Sequence, residues 1–79
     1  MVYTIIVEKG EKGYSAYAPD VLGCVAAGDT VEEVVDLMSG ALRFHLEGML
    51  EDGESIPQPR SMAFSVHIDM DTETNSEAA

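Results

Sequence analysis

One amphipathic segment limits the folds that this chain can adopt. Between Thr30 and Gly53, apolar residues recur at intervals of three and four, which is the spacing of one helix face. The face consists of Val31, Val34, Val35, Met38, Leu42, His45, Leu46 and Met49. The Thr30–Glu33 run matches a capping box, and Gly53 is a typical helix stop. The sequence therefore predicts one helix of about five or six turns.

Three β-type segments precede this helix and one follows it. Residues 2–8 and 14–18 are rich in β-branched, aromatic and small residues, and residues 24–27 lie between two glycines. Residues 62–68 alternate strictly between large apolar side chains and small or polar ones, which predicts a fourth strand. The order β-β-β-α-β predicts an α+β fold with two layers, in which one helix covers one face of a small antiparallel sheet.

The length of 79 residues predicts a single domain. We place the α+β domain at residues 1–68 and an acidic disordered tail at residues 69–79. A chain this short buries only about 60% of the surface that it exposes when unfolded. The first strand carries apolar residues on both faces, while the helix can cover only one. We therefore expect a homo-oligomer, either a dimer or a tetramer, or a partner protein to cover the other face.

The charge balance indicates the kind of partner. Four basic residues stand against fifteen acidic ones, which gives a formal net charge of -11. Such a chain repels nucleic-acid phosphates and anionic membranes, so we predict direct binding to neither. A basic protein is the natural partner, and solubility alone is the alternative interpretation. A single cysteine, Cys24, and a first segment that is typical of a strand and not of a secretion signal predict a cytoplasmic protein.

Catalytic and metal-binding chemistry has little support in the sequence. His45 and His67 lie in different elements, without a recognised metal-ligand spacing. Cys24 has no base or cation near it in sequence, so a packing role is the prediction. Of the best-placed carboxylates, Asp29 and Asp36 are explained by the start of the helix. We therefore predict no catalytic residue, no metal and no cofactor, and a protein that is not an enzyme.

The segment from Pro19 to Thr30 carries the strongest functional signal. One proline and two glycines restrict its backbone, as in segments that shape a surface. Together with the preceding Gly13–Asp20 run, the Gly23-Cys24 pair and the Gly28-Asp29-Thr30 start of the helix, it resembles the HicB family of antitoxins and HicB-like small proteins. The resemblance covers roughly residues 2 to 68.

This resemblance implies a domain related to a partial ribonuclease H-like fold without its catalytic carboxylates. It also implies the antitoxin of a type II toxin-antitoxin pair, which neutralises a basic, mRNA-cleaving toxin of the HicA kind by protein-protein binding. The residues predicted to bind this partner are Tyr14, Tyr17, Pro19, Asp20 and Gly23. Full-length HicB proteins usually add a C-terminal DNA-binding domain, and we expect this chain to lack one. The alternative function is a stand-alone homo-oligomeric module for regulation or small-ligand binding.

Overall fold

The computed structural model describes residues 1–71. Three strands come first, β1 (Ile6–Lys9), β2 (Tyr14–Tyr17) and β3 (Val25–Gly28), followed by the helix α1 (Val31–Glu51). The strands form one antiparallel sheet in the order β1-β2-β3, so that β1 and β3 are its edges. The predicted α+β fold, a small antiparallel sheet with one helix, is confirmed.

The core lies between α1 and one face of the sheet. Val7, Ala16 and Ala26 stand opposite one another on the three strands, and they share this face because side chains alternate along a strand. From the helix, Val34 and Met38 are completely buried against it. The full set of buried core residues is Ala16, Ala18, Val21, Cys24, Val34 and Met38.

Both ends of α1 follow the sequence prediction. At the start, the Glu33 amide donates to the Thr30 hydroxyl at 3.0 Å, while the Glu33 carboxylate accepts from the Asp29 amide at 2.6 Å. In a regular capping box the Glu33 carboxylate accepts from the amide of Thr30 itself, whereas here it accepts from Asp29, one residue earlier. At the other end, Gly53 has a φ of 78° and its amide donates to the Leu50 carbonyl. This left-handed residue ends the helix, which is the usual role of glycine at that position.

The first predicted strand is longer than the observed one, and the predicted fourth strand does not form. Within residues 1–71, ladder pairing in the first segment begins at Ile6, and residues 52–71 contain no strand. A strand needs a neighbour with free amides and carbonyls, and no edge of this chain's own sheet lies along residues 62–68. Residues 69–71 of the predicted acidic tail are exposed, and the rest of that tail lies outside the described residues.

Candidate functional site

The face of the sheet that α1 does not cover is the first candidate surface. Tyr17 stands at the centre of this face, directly opposite Ile6 on one side and Val25 on the other. Tyr17 is 41% exposed and Val25 66% exposed. In the next row, Ser15 stands between Glu8 and Ala27, and all three are exposed. We call these six residues the open sheet face; it combines an apolar row around the Tyr17 hydroxyl with a more polar row that carries the Glu8 carboxylate.

The loop between β2 and β3 extends this surface. The Val21 amide donates to the Ala18 carbonyl at 3.1 Å, and the Cys24 amide donates to the Val21 carbonyl at 3.3 Å. These two bonds define consecutive β-turns, with Pro19 at the second position of the first turn. In the second turn, Gly23 has a φ of 82°, which favours glycine over any residue with a side chain.

Leu22 is the residue of this loop that sequence reasoning missed. The turns bury Val21 and Cys24, which anchor the loop in the core, and leave Leu22 89% exposed between them. Leu22 lies in the loop that joins Tyr17 to Val25, and exposed apolar residues that cluster in this way mark contacts with a partner protein. The available signal was the leucine next to a turn glycine, but a sequence alone does not show which residue of the loop faces inwards.

The two tyrosines of β2 are not brought together. Tyr14 and Tyr17 are three positions apart, so they point to opposite faces of the strand. Tyr14 packs against the core on the helix side, whereas Tyr17 belongs to the open sheet face. Pro19, like Tyr17, is exposed. The geometry therefore groups Tyr17, Pro19 and Gly23 on accessible surface and separates Tyr14 from them.

Asp20 is engaged within the chain itself. One of its carboxylate oxygens accepts hydrogen bonds from the amides of Arg60 and Ser61, each at 2.8 Å, and the other accepts from the Ser61 hydroxyl, also at 2.8 Å. We call these three residues the Asp20 clasp. The hydrogen bonds from Ser61 and Arg60 lower the pKa of Asp20, because they stabilise the charged carboxylate.

Two further bonds hold the same C-terminal segment beside the start of the first strand segment. The Thr4 hydroxyl donates to the Ser61 carbonyl at 2.7 Å, and the Tyr3 hydroxyl donates to the Pro57 carbonyl. Asp20 and Ser61 are 41 positions apart, so no local pattern in the sequence could have revealed their contact.

Three features of the described residues bear on catalysis, metal binding and membrane insertion. Burial raises the pKa of the Cys24 thiol, which disfavours the reactive thiolate. Within residues 1–71, we find no group of three or more His, Cys, Asp or Glu side chains that could hold a metal ion. In the same part of the chain, α1 lacks the combination of length and apolar character that crossing a bilayer requires.

Comparisons with known proteins point to one family. The model of the HicB-like antitoxins of bacterial toxin-antitoxin systems matches residues 3–76. The chain is 48% identical to an uncharacterised 14.9 kDa protein of Haemophilus phage HP1 over 73% of its own length, and it spans 44% of that phage protein. It is also 32% identical to a UPF0150 protein of Thermoplasma acidophilum, over 85% of this chain and 99% of the relative.

A solved structure gives the same indication. The fold matches a chain of the HicA3 and HicB3 toxin-antitoxin complex with a TM-score of 0.67 and 31% sequence identity. The match covers 78% of this chain and 72% of the other. The similarity therefore extends over most of both chains.

Proposed function

We propose that this chain, which belongs to the HicB-like antitoxins of bacterial toxin-antitoxin systems, binds and neutralises a small basic toxin of the HicA kind. The observation that carries the proposal is the likeness in fold and sequence to a chain of a toxin-antitoxin complex. The net charge of -11 supports it, because an acidic protein attracts a basic one over long distances and accelerates their encounter. Neutralisation would then follow from covering the RNA-contacting surface of the toxin.

The contact surface that we propose is the open sheet face together with the Pro19–Gly23 part of the loop. Interface centres are enriched in tyrosine, which supplies a large contact area at a low entropic cost. Tyr17 lies at the centre of this face, and Leu22 stands at the tip of the adjoining loop. Pro19 and Gly23 set the path of that loop, so both contribute shape to the surface.

Tyr14 and Asp20 take supporting roles in this proposal. Tyr14 packs beneath the sheet, on the side of α1, and so stabilises the strand that carries Tyr17. The carboxylate of Asp20 already accepts three hydrogen bonds from Arg60 and Ser61. We therefore assign Asp20 to holding the C-terminal segment at the end of the loop, and its charge adds to the field that attracts a basic partner.

The experiment takes any small basic protein that a gene next to this chain's own encodes and titrates it against the chain. We expect a complex on gel filtration whose formation weakens with salt, because charge steers the encounter. Tyr17→Ala should lower the affinity about 30-fold, which corresponds to the loss of about 2 kcal/mol at a hot spot. The matched control is Phe44→Ala, since Phe44 is an aromatic residue of α1 that is 80% exposed away from the open sheet face.

Two outcomes would contradict the proposal. If the neighbouring basic protein forms no complex and co-expression does not rescue growth, the toxin-binding function fails. If Phe44→Ala weakens binding as much as Tyr17→Ala does, the contact surface is wrong even though the function stands.

The second candidate function is a stand-alone homo-oligomeric module without a toxin partner. One observation favours self-association: the segment at residues 62–68 exposes four large apolar side chains. Self-association is compatible with toxin binding, because this segment is not part of the open sheet face. We therefore treat it separately.

A further inference from the structure

The segment at residues 62–68 has the pattern of a strand but no neighbouring strand within residues 1–71. Every second residue is large and apolar, and all four are well exposed: Met62 at 76%, Phe64 at 82%, Val66 at 76% and Ile68 at 64%. The residues between them are small or polar. A regular apolar row with free backbone groups is the feature by which strands recruit other strands.

A second unpaired stretch lies at the other end of the described chain. Residues 2–5 are as rich in β-forming residues as β1, which they precede, yet their pairing with β2 has not begun. Val2 is 84% exposed. Among the described residues no strand pairs with the outer edge of β1, so this edge and the stretch before it can accept another strand.

Hydrogen bonds bring the starts of these two stretches together, yet the two stretches do not pair within one chain. The Thr4 hydroxyl contacts the Ser61 carbonyl, so residue 61 lies beside the start of the first strand segment. The clasp also holds the amides of Arg60 and Ser61 on Asp20, at the end of β2. From there the chain leaves its own sheet, as the exposure of every residue from Met62 to Asp71 indicates.

The charge distribution suits a second copy of the same chain. Two molecules with a net charge of -11 repel each other in general. Residues 55–68, however, contain no carboxylate and include Arg60 and His67. This is the longest run of the sequence without a carboxylate, so it can approach another copy without adding negative charges to the contact.

We propose that residues 62–68 of one copy form a β-strand along the outer edge of residues 2–8 of a second copy, and that the exchange is reciprocal. In each copy, the Asp20 clasp holds Arg60 and Ser61 in place, and residues 62–68 extend from there to the other copy. The arrangement is a twofold dimer, in which the same two surfaces are used twice. Main-chain hydrogen bonds of the added strand and four apolar side chains from each copy hold the dimer together. The fourth strand that the sequence predicts therefore exists between copies.

The first test measures the association state of the full chain in the absence of any toxin. We expect a dimer by sedimentation velocity at micromolar concentration. Phe64→Asp should raise the dissociation constant of the dimer at least about 100-fold, because it places a charge in the apolar row. Phe44→Asp is a matched control, since both phenylalanines are about equally exposed, at 80% and 82%. Circular dichroism checks that both variants remain folded.

The second test asks whether the contact is a strand ladder. Ser65→Pro removes one amide donor and leaves the apolar row intact, so it should dissociate the dimer if a ladder exists. Amide hydrogen exchange across residues 62–68 should be slow in the dimer and become fast on dilution.

Three results would overturn this proposal. A wild-type monomer at micromolar concentration rules out the exchange. A dimer that survives Phe64→Asp and Ser65→Pro places the interface elsewhere. Protection of residues 62–68 that does not depend on concentration indicates pairing with the chain's own sheet. None of these measurements involves the toxin, so their failure is distinguishable from a failure of the proposed function.

Discussion

Two regions of this molecule are held in place by different forces. Residues 3–46 contain the sheet, the loop and most of α1, and they are joined by one apolar core around Val34 and Met38. Residues 54–71 contribute nothing to the buried core. They are attached through hydrogen bonds to Tyr3, Thr4 and Asp20. The first region is stabilised by packing and the second by a few polar contacts.

This difference determines how each region responds to perturbation. Packing in a small core is shared among many contacts, so its loss affects the whole domain at once. A few hydrogen bonds between exposed or half-buried groups can break without unfolding the rest, which is local opening. Residues 62–68 can therefore join the sheet of another copy while the core of each copy stays intact. The proposed exchange between two copies depends on this property.

The largest effect is expected in the core. Met38→Ala should lower the free energy of unfolding by about 2–5 kcal/mol, because it removes a completely buried side chain and leaves a cavity. That is a large fraction of the roughly 5–15 kcal/mol of a typical domain. Urea denaturation followed by circular dichroism measures it. The neighbouring Leu37, which is 48% exposed, provides the control variant Leu37→Ala with a much smaller loss.

A core variant also tests whether the two regions are independent. If the packed region forms one cooperative unit, Met38→Ala should increase amide exchange throughout β1, β2 and β3. An equal loss of stability for Met38→Ala and Leu37→Ala would show that the core is not centred where the structure places it.

A smaller and local effect is expected at the clasp. Asp20→Asn removes the charge and replaces one accepting oxygen with an amide group, which cannot accept. We expect faster hydrogen exchange at Arg60 and Ser61, with the urea midpoint of the sheet and helix nearly unchanged. Asp36→Asn on the exposed side of α1 is the matched control, and it should leave both amides unaffected.

One result for Asp20→Asn would contradict the independence of the two regions. If it lowers the urea midpoint as far as Met38→Ala does, the C-terminal segment belongs to the same cooperative unit as the core. The distinction between the two regions would then be wrong.

The parts that could be predicted from the sequence are those with local or periodic signals. The ends of α1 follow from Thr30 and Gly53, whose hydrogen bonds lie within a few positions along the chain. The strands β1 and β2 follow from runs of β-branched and aromatic residues, and β3 follows from a short segment between two glycines. The pattern at residues 62–68 is just as clear, but it specifies only that a strand is favourable. It does not specify which sheet edge will be the neighbour.

The residues predicted to bind a partner stay a prediction, and for two physical reasons the sequence alone does not show how they are arranged. Residue type groups Tyr14 with Tyr17, whereas the period of two along a strand separates them by face. By sequence Asp20 is a charge in a loop, but its carboxylate accepts hydrogen bonds from Arg60 and Ser61, in a distant part of the chain. Contacts of that kind depend on the whole fold.

The smallest effect is expected from acid, which acts on the clasp without any substitution. Its hydrogen bonds hold the pKa of Asp20 below the ordinary value of 3.8. A group with a lowered pKa in the folded state contributes stability above its ordinary pKa, and this contribution is lost as the pH falls through the lowered value. From neutral pH down to 3.8 the clasp should therefore stay closed.

Over that same interval, the exchange rate of the Ser61 amide relative to its intrinsic rate should stay constant. Below pH 3.8, the exchange rate of the Ser61 amide should rise relative to its intrinsic rate at the same pH. The amides of β2 should remain protected. In Asp20→Asn this acid-dependent step should be missing, since the titrating group is gone. A step that persists in that variant, or that begins well above the ordinary pKa of Asp20, would show that another group controls the release of the C-terminal segment.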